Sequence, residues 1–317
     1  KGLKFNIELT SSTLDTDIKS IKKAARKGIH DELTKRVAGI VSEGKIFYEE
    51  DNKIYWKGSP IARVKKGINY LNPEIDIISD DAISQDSKIE LESFLKVWLT
   101  KHIHEHLGDL LNLTKIKVEN QYLRALVFQL YENNGVIKRE KIDHIIKLIS
   151  KDERKKLWSL GIKLGRYHVY LPKMLKPKAV ALRVSLWKLY YDMSSNTQIP
   201  KFGLNFITDE KFNRKFLLLC GFEHFSSFFV RVDILEKLFI SILENTVNKK
   251  FKITTNMMNL LGCSKENFYK LMILMNYKKD KAGETYIFTG DLKKNKKFIR
   301  NKSISSPFDK LRSLNLK

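Results

Sequence analysis

The amino-acid sequence predicts a mainly α-helical fold with minor β structure. Glycine and proline are scarce, with 15 and 6 residues among 317, which favours long helices over a turn-rich β-sandwich. Apolar residues in the longest segments recur at helical spacing. A run of turn-forming residues at 196–205, with Pro200 and Gly203, divides the chain into two lobes. We therefore expect a helical lobe over 1–195 that carries a small antiparallel β element, and a winged-helix-like lobe over 206–290.

The helical lobe should begin with a long helix over 15–42. Apolar residues recur there every three or four positions, and lysines and arginines occupy the opposite face. Short alternating runs, separated by turn signals, then predict a small antiparallel meander within 45–65. These runs are 45–49, 53–57 and 61–65. Further helices are expected over 88–113, 120–133, 138–149 and 172–193.

The second lobe has the order of helix, short turn, helix and hairpin that is typical of winged-helix domains. The expected elements are a strand within 222–232, helices over 233–248, 254–261 and 264–276, and a hairpin over 278–289. Gly262 should stop the second of these helices, and Ser264 should cap the third. A helical pair with a solvent-facing hairpin is the alternative that this order leaves open. The basic segment 291–317 is expected to be a flexible tail.

The charge of the chain indicates a polyanionic partner. Lysine and arginine number 59 against 36 acidic residues, so the net charge is +23 and the isoelectric point is near 9.7. A protein this basic repels itself and attracts polyanions, of which nucleic acid is the commonest. Compositional drift towards lysine, isoleucine and asparagine is the alternative, but the basic residues also cluster locally. Because no apolar run is long enough to span a bilayer, we expect no membrane partner and a cytoplasmic location.

One run resembles a phosphate loop but lacks its chemistry. Residues 39–46 nearly fit the pattern G-x-x-x-x-G-K-[ST]. Ile46 has no hydroxyl for magnesium, Glu43 would place negative charge beside the phosphates, and a helix rather than a strand should precede the run. No acidic box of an ATPase follows either. We therefore expect no catalytic residue and no bound cofactor within this chain.

The histidine-rich run at 102–106 invites comparison with a metal site. His102 and His106 are spaced i, i+4 and should share one face of a helix. A third ligand is not evident, and Glu105 lies at the wrong offset for the H-E-x-x-H motif. We therefore expect packed or half-buried histidines and no metal. Cys220 and Cys263 are too distant in sequence to form the cysteine pair of a zinc finger.

The segment 154–177 is the strongest candidate for a binding surface. Two glycines, a Tyr-His-Val-Tyr alternation and two prolines delimit a strand or turn between basic helices. Aromatic rings interleaved with cations suit single-stranded nucleic acid, because rings stack on bases while cations contact phosphates. The candidate residues are Lys163, Arg166, Tyr167, His168, Tyr170, Lys173 and Lys176. Packing of Tyr167 and Tyr170 between helices is the alternative.

This segment also carries a family resemblance. It reads Leu-Gly-Ile-Lys-Leu-Gly at 160–165, Tyr-His-Val-Tyr-Leu-Pro at 167–172 and Leu-Lys-Pro at 175–177. Matching strings occur in order at 59–64, 129–137, 260–264 and 275–277. These strings resemble the region C-terminal to the motor in alphaproteobacterial superfamily 2 helicases, which are relatives of the mitochondrial degradosome RNA helicase. The resemblance covers about residues 20–290.

The resemblance implies a parent chain that hydrolyses ATP to unwind or translocate along RNA, with DNA as the alternative. Its motor domains would precede Lys1 in the same chain and would use ATP and magnesium; the absence of an initiator methionine agrees with a longer protein. Single-stranded RNA is then the favoured partner. No motor motif is present here, the tail is shorter than the family's, and no catalytic residue of the family falls in this region. A stand-alone winged-helix protein, such as a replication initiator or regulator, is the alternative function.

Overall fold

The computed structural model describes residues 2–4, 15–48, 52–79, 83–116, 119–192, 199–201, 206–207, 213–226, 228–280, 283 and 285–289. The described part is about 57% helical with 22% strand, and its sheets are small and antiparallel. The predicted class, mainly α with minor β, is therefore confirmed. The chain divides into two compact units, of which the first comprises Lys1–Pro200 with Leu219–Gly221 and the second Lys201–Leu218 with Phe222–Lys317. The predicted boundary at 196–205 lies largely outside the described residues.

The first unit contains six helices and seven strands among the described residues. They are α1 (Asp15–Glu43), β1 (Ile46–Tyr48), β2 (Lys53–Trp56), β3 (Ser59–Asn69), β4 (Asn72–Ile77), α2 (Gln85–Asn112), α3 (Gln121–Glu132), β5 (Val136–Lys138), α4 (Arg139–Leu148), α5 (Lys151–Ser159), β6 (Lys163–Leu164), β7 (His168–Tyr170) and α6 (Pro177–Tyr190). Short 3₁₀ turns cover Leu113–Lys115 and Pro172–Leu175.

The predicted meander is present and extends beyond 45–65. Strands β1 to β4 pair in sequence order as one antiparallel sheet. Strand β4 was not predicted, because Pro73 and its acidic neighbours break the usual strand pattern. A proline is tolerated there because β4 is an edge strand, where a missing N–H breaks no ladder hydrogen bond. The buried side chain of Ile75 anchors β4 to the core.

Helix α2 supplies the main apolar stripe of the first unit. Ser84 caps its N-terminus by accepting a hydrogen bond from the Ser87 amide. The buried leucines and isoleucine of α2 recur at helical spacing and face α1, β4 and α6. They are Leu91, Leu95, Leu99, Ile103, Leu107 and Leu110. Because this stripe faces the core, it determines the orientation of the other residues of α2, including the histidines at 102, 104 and 106.

The predicted helix over 172–193 is two elements. A 3₁₀ turn at Pro172–Leu175 comes first, and α6 then starts with Pro177 at its first position. Lys176 is extended, with φ −72° and ψ 144°, because a residue before proline avoids the helical region. Helix α6 also carries the fully buried Arg183, whose guanidinium donates to the backbone carbonyls of Asn134, Met174 and Leu219.

The second unit contains β8 (Phe206–Ile207), α7 (Arg214–Leu219), β9 (Phe222–Phe225), β10 (Phe228–Arg231), α8 (Val232–Glu244), β11 (Thr246–Val247), β12 (Lys250–Phe251), α9 (Thr255–Leu261), α10 (Lys265–Leu274), β13 (Tyr277–Lys279) and β14 (Tyr286–Phe288). Leu219 itself is assigned to the first unit. The segment predicted as one strand at 222–232 is a hairpin, because Ser226 adopts a left-handed φ of 53° and reverses the chain. The strands order as β8-β10-β9 and β11-β12-β14-β13.

Sequence signals for the last two helices of this unit are confirmed. Gly262 ends α9 in the left-handed conformation with φ 60°, and the Ser264 hydroxyl accepts from the Asn267 amide at the start of α10. The hairpin predicted over 278–289 forms from β13 and β14. The tail predicted at 291–317 lies outside the described residues. Among the helices that the structure describes, none is both long and apolar enough to cross a bilayer.

Candidate nucleic-acid interface

The candidate residues lie on and around a three-stranded sheet. Strand β7 is central in the order β5-β7-β6, and Lys163 on β6 lies opposite Tyr170 on β7. The turn that contains Arg166 and Tyr167 joins β6 to β7. The turn is tied to the start of α4, because the Arg139 amide and guanidinium donate to the carbonyls of Tyr167 and Gly165. The sheet therefore holds this turn in a defined place.

Two of the seven candidate residues are part of the core. His168 is 1% exposed and Tyr170 is 4% exposed, and Val169 between them is also buried. Successive residues of a strand point to opposite faces, so both faces of β7 are covered. A base cannot stack on a ring without access to its face. We therefore remove His168 and Tyr170 from the surface that the sequence predicted.

The other five candidates remain accessible. Lys163, Arg166 and Lys176 are exposed, while Tyr167 is half-buried. Lys173 is exposed too, but its ammonium forms an ion pair with Asp109 at 2.9 Å. A lysine that is already paired gains less from a phosphate, because the existing ion pair must first be broken. Four of the five accessible residues, Lys163, Arg166, Lys173 and Lys176, are thus exposed cations.

Helix α5 presents an exposed aromatic ring that the sequence prediction left out. Trp158 is 74% exposed, more than any other aromatic side chain in the described part of the chain. Arg154 and Lys155 precede it by four and three residues and therefore share its helix face. The Arg154 guanidinium also donates to the Ile146 carbonyl, and the Lys155 ammonium forms a solvent-exposed ion pair with Asp152 at 3.2 Å, a kind of pair that contributes little free energy and opens readily. Only Leu157 of this helix is buried. Because Leu157 faces the core, the next residue of the helix, Trp158, faces solvent. The position of this leucine was the sequence signal for an exposed tryptophan.

The ends of α5 fix the position of Trp158. Ser150 and Glu153 form a capping box, in which each side chain accepts from the other residue's backbone amide. That bond from the Ser150 amide lowers the pKa of the Glu153 carboxyl. At the other end the Gly161 amide donates to the Trp158 carbonyl at 3.0 Å. Lys163 follows this turn as the first residue of β6 and is exposed.

The second unit has a separate cluster of rings and cations. Tyr269 on α10 lies beneath two ammonium groups, that of Lys265 at 5.9 Å and that of Lys279 at 4.9 Å from the ring centroid. The Tyr269 ring also stacks on Tyr286, with centroids 6.1 Å apart. The cluster therefore combines α10 with the β13–β14 hairpin, and its lysines are exposed.

The run that resembles a phosphate loop is the end of a helix. Gly39 lies inside α1, and the Gly44 amide donates to the Ile40 carbonyl at 3.1 Å in a left-handed turn. A phosphate loop needs a series of backbone N–H groups that point at the phosphates. The helix uses the N–H groups of this run in its own hydrogen bonds. The segment thus has neither the geometry nor the hydroxyl of a nucleotide site.

The histidine-rich run faces a cleft of the first unit. The cleft has a volume of about 650 Å³ and is lined by residues of β1, α2 and α6, with Lys178 at its edge. His102 stacks on Trp98 at 5.1 Å between centroids and meets His106 edge-on at 4.7 Å. Burial lowers the pKa of His102, and the charges of His106 and Lys178 act in the same direction. Both histidines are half-buried, as expected.

Comparison with known proteins identifies no relative. No protein-family model, no curated protein and no solved structure matches this chain. The resemblance to helicases therefore rests on its sequence motifs alone.

Proposed function

We propose that this chain is a nucleic-acid-binding accessory region of an ATP-dependent helicase and that it holds single-stranded RNA, with DNA as the alternative. The observation that carries the binding activity is Trp158, an exposed ring on a helix whose same face bears Arg154 and Lys155. An exposed aromatic ring costs free energy because its apolar surface contacts water. Such a ring, flanked by cations, can stack on a base while the cations contact the phosphates. The net charge of +23 supports the same partner.

The proposed surface combines α5 with the accessible part of the predicted segment. Lys163 and Arg166 extend the cationic face from the end of α5 into the β6–β7 turn. Lys176 adds a further exposed cation. The buried His168 and Tyr170 support the sheet beneath this surface. Stacking on Trp158 would tolerate any base, because every base has a π-face, so little sequence preference is expected.

The helicase part of the proposal comes from the sequence motifs. In that arrangement ATP and magnesium bind the motor domains, which would precede this chain, and this region contacts the strand that the motor moves. We assign no catalytic residue and no cofactor to the chain itself.

The second unit supports a winged-helix-like domain within this proposal. Its order is α8, then the β11–β12 strands, α9, α10 and the β13–β14 hairpin, with β12 paired to β14. That order and that pairing favour a winged-helix-like domain. The Tyr269 cluster favours the second candidate function, a stand-alone winged-helix nucleic-acid-binding protein, because it would be the binding surface in that case.

Fluorescence anisotropy with a labelled single-stranded RNA tests the proposal. Stacking is worth about 1–3 kcal/mol per base, so Trp158→Ala should weaken binding roughly 5- to 150-fold. Trp158→Phe should retain most of the affinity because it keeps a ring. Phe128→Ala is the matched control, since Phe128 is a 58% exposed ring on α3 whose cationic neighbour Arg124, one turn before it, is balanced by Glu132 one turn after it.

The result separates the two functions. Loss of affinity in Trp158→Ala but not in Tyr269→Ala supports the accessory region on α5. The reverse result supports the stand-alone winged-helix protein. Equal affinity in both variants and the wild type would contradict both surfaces.

A further inference from the structure

Helix α2 brings three potential metal ligands together. An imidazole nitrogen from His102, a carboxylate oxygen from Glu105 and an imidazole nitrogen from His106 all lie within 4.8 Å of one another. The sequence prediction gave no third ligand, because it considered only the H-E-x-x-H offset. On a helix, however, Glu105 lies one turn after His102, and its carboxylate lies within 4.8 Å of the imidazole nitrogens of both His102 and His106.

We propose that His102, Glu105 and His106 form a binding site for a late first-row divalent cation, with Zn²⁺ as the best-matched ion. Two imidazoles and one carboxylate are a donor set that zinc accepts, with bonds of about 2.0–2.2 Å. Ligand atoms in a tetrahedral zinc site are roughly 3.3 Å apart at that bond length. No pair of ligand atoms therefore needs an approach of more than about 1.5 Å.

The surroundings hold the ligands for this role. Trp98 stacks on His102 with ring planes 10° apart, and this contact limits the rotation of that imidazole. His102 and His106 both line the cleft of about 650 Å³, where water has room to complete the coordination shell of a cation. His104 lies on the other side of the helix, with its ring beside Gly108, and takes no part.

One neighbouring charge opposes the site. Lys178 on α6 lines the same cleft, and its positive charge disfavours further positive charge at His102. A dication bound at His102 is repelled by this ammonium, whereas the Glu105 carboxylate offsets one positive charge. Removal of the Lys178 charge should therefore strengthen cation binding, an effect that a purely structural role of the histidines would not produce.

Isothermal titration of the tag-free chain with Zn²⁺ tests the site. We expect one ion per chain, and we expect His106→Ala to weaken binding at least about tenfold, the loss that even outer-shell changes cause. Glu105→Gln should also weaken binding, and Lys178→Ala should strengthen it several-fold. His104→Ala is the matched control, being a histidine of the same helix outside the cluster, and should bind like the wild type.

Two further measurements make the outcome decisive. Cys263→Ser should leave the zinc affinity unchanged, which excludes the Cys263 thiol as a ligand. Co²⁺ bound to the wild type should give the intense visible absorption of a low-coordinate site, and this absorption should be lost in His106→Ala. If His102→Ala fails to fold, the more exposed Glu105→Gln and Lys178→Ala variants still report. Equal weakening by His104→Ala and His106→Ala, or no saturable binding, would overturn the proposal.

Discussion

Replacement of Arg183 by methionine should destabilise the first unit strongly. Arg183 is fully buried, and burial lowers its pKa to about 10, which leaves the guanidinium protonated at neutral pH. Its donors satisfy the carbonyls of Asn134, Met174 and Leu219, which belong to three separate segments. Each buried carbonyl left without a donor costs about 1–3 kcal/mol. Relief of the buried charge offsets part of this sum, so we expect a net loss of about 3–5 kcal/mol.

Urea unfolding followed by circular dichroism measures this loss. A loss of that size corresponds to a fall of roughly 6–20 °C in the thermal midpoint of a unit of this length. Arg154→Met is the matched control, because the exposed Arg154 donates to a single carbonyl, that of Ile146 at 3.1 Å. Its loss should stay below about 1 kcal/mol. If Arg183→Met unfolds at the same urea concentration as Arg154→Met, the three carbonyls do not depend on Arg183 and the reasoning is wrong.

Four other outcomes are expected. Gly135→Ala should lower the unfolding midpoint, because φ is +80° there and a Cβ would lie 2.8 Å from Cγ of Met174; the control Gly28→Ala, with nothing within 4 Å, should not. The capping box lowers the pKa of Glu153 in the folded chain. The stabilisation that the box gives to α5 should therefore be full above the ordinary glutamate pKa and be lost as the pH falls through the lowered pKa of the folded state. NMR titration of Glu153, with Ser150→Ala as the comparison, checks this dependence. Burial raises the pKa of Cys220 to about 12 and also raises that of Cys263, so iodoacetamide at pH 8 should leave Cys220 unlabelled in the folded chain, by mass spectrometry. The chain alone should release no phosphate from ATP, and an activity that disappears in Lys45→Ala would contradict the assignment of 39–46 to a helix end.

The long helices were predictable because their apolar periodicity is strong. Helix α2 shows this clearly, since its stripe from Leu91 to Leu110 leaves one phase for the buried face. Helix α5 was not assigned as an element, because Leu157 is its only buried residue and one leucine defines no period. Its start is nevertheless encoded locally by the capping box of Ser150 and Glu153. To predict a short basic helix such as α5 from sequence, the capping box is therefore a better signal than apolar periodicity.

The candidate surface was predicted in part for a related reason. The alternation at 167–170 gives a strand, but it does not say how many faces of that strand are covered. Tyr170, His168 and the intervening Val169 are all buried, so other elements cover both faces of β7, and that packing is a property of the tertiary fold. Lys163 and Arg166 stay exposed because they lie at the edge strand and the turn. The sequence predicted a strand or turn for this segment, but it did not distinguish the buried residues of the sheet from the residues on its surface.

The position of Trp158 allows the effect of charge to be separated from that of a built surface. Compositional drift and a specific interface both predict binding that weakens with salt, since either releases counterions, with a log–log slope of about 0.7 per phosphate contacted on a single strand. Stacking on Trp158 adds free energy that salt does not screen. Trp158→Ala should therefore shift the whole salt line downward with little change of slope. Lys155→Ala or Lys163→Ala should flatten it instead. If compositional drift alone explains the net charge of +23, the plots of log affinity against log salt concentration for Trp158→Ala and the wild type coincide.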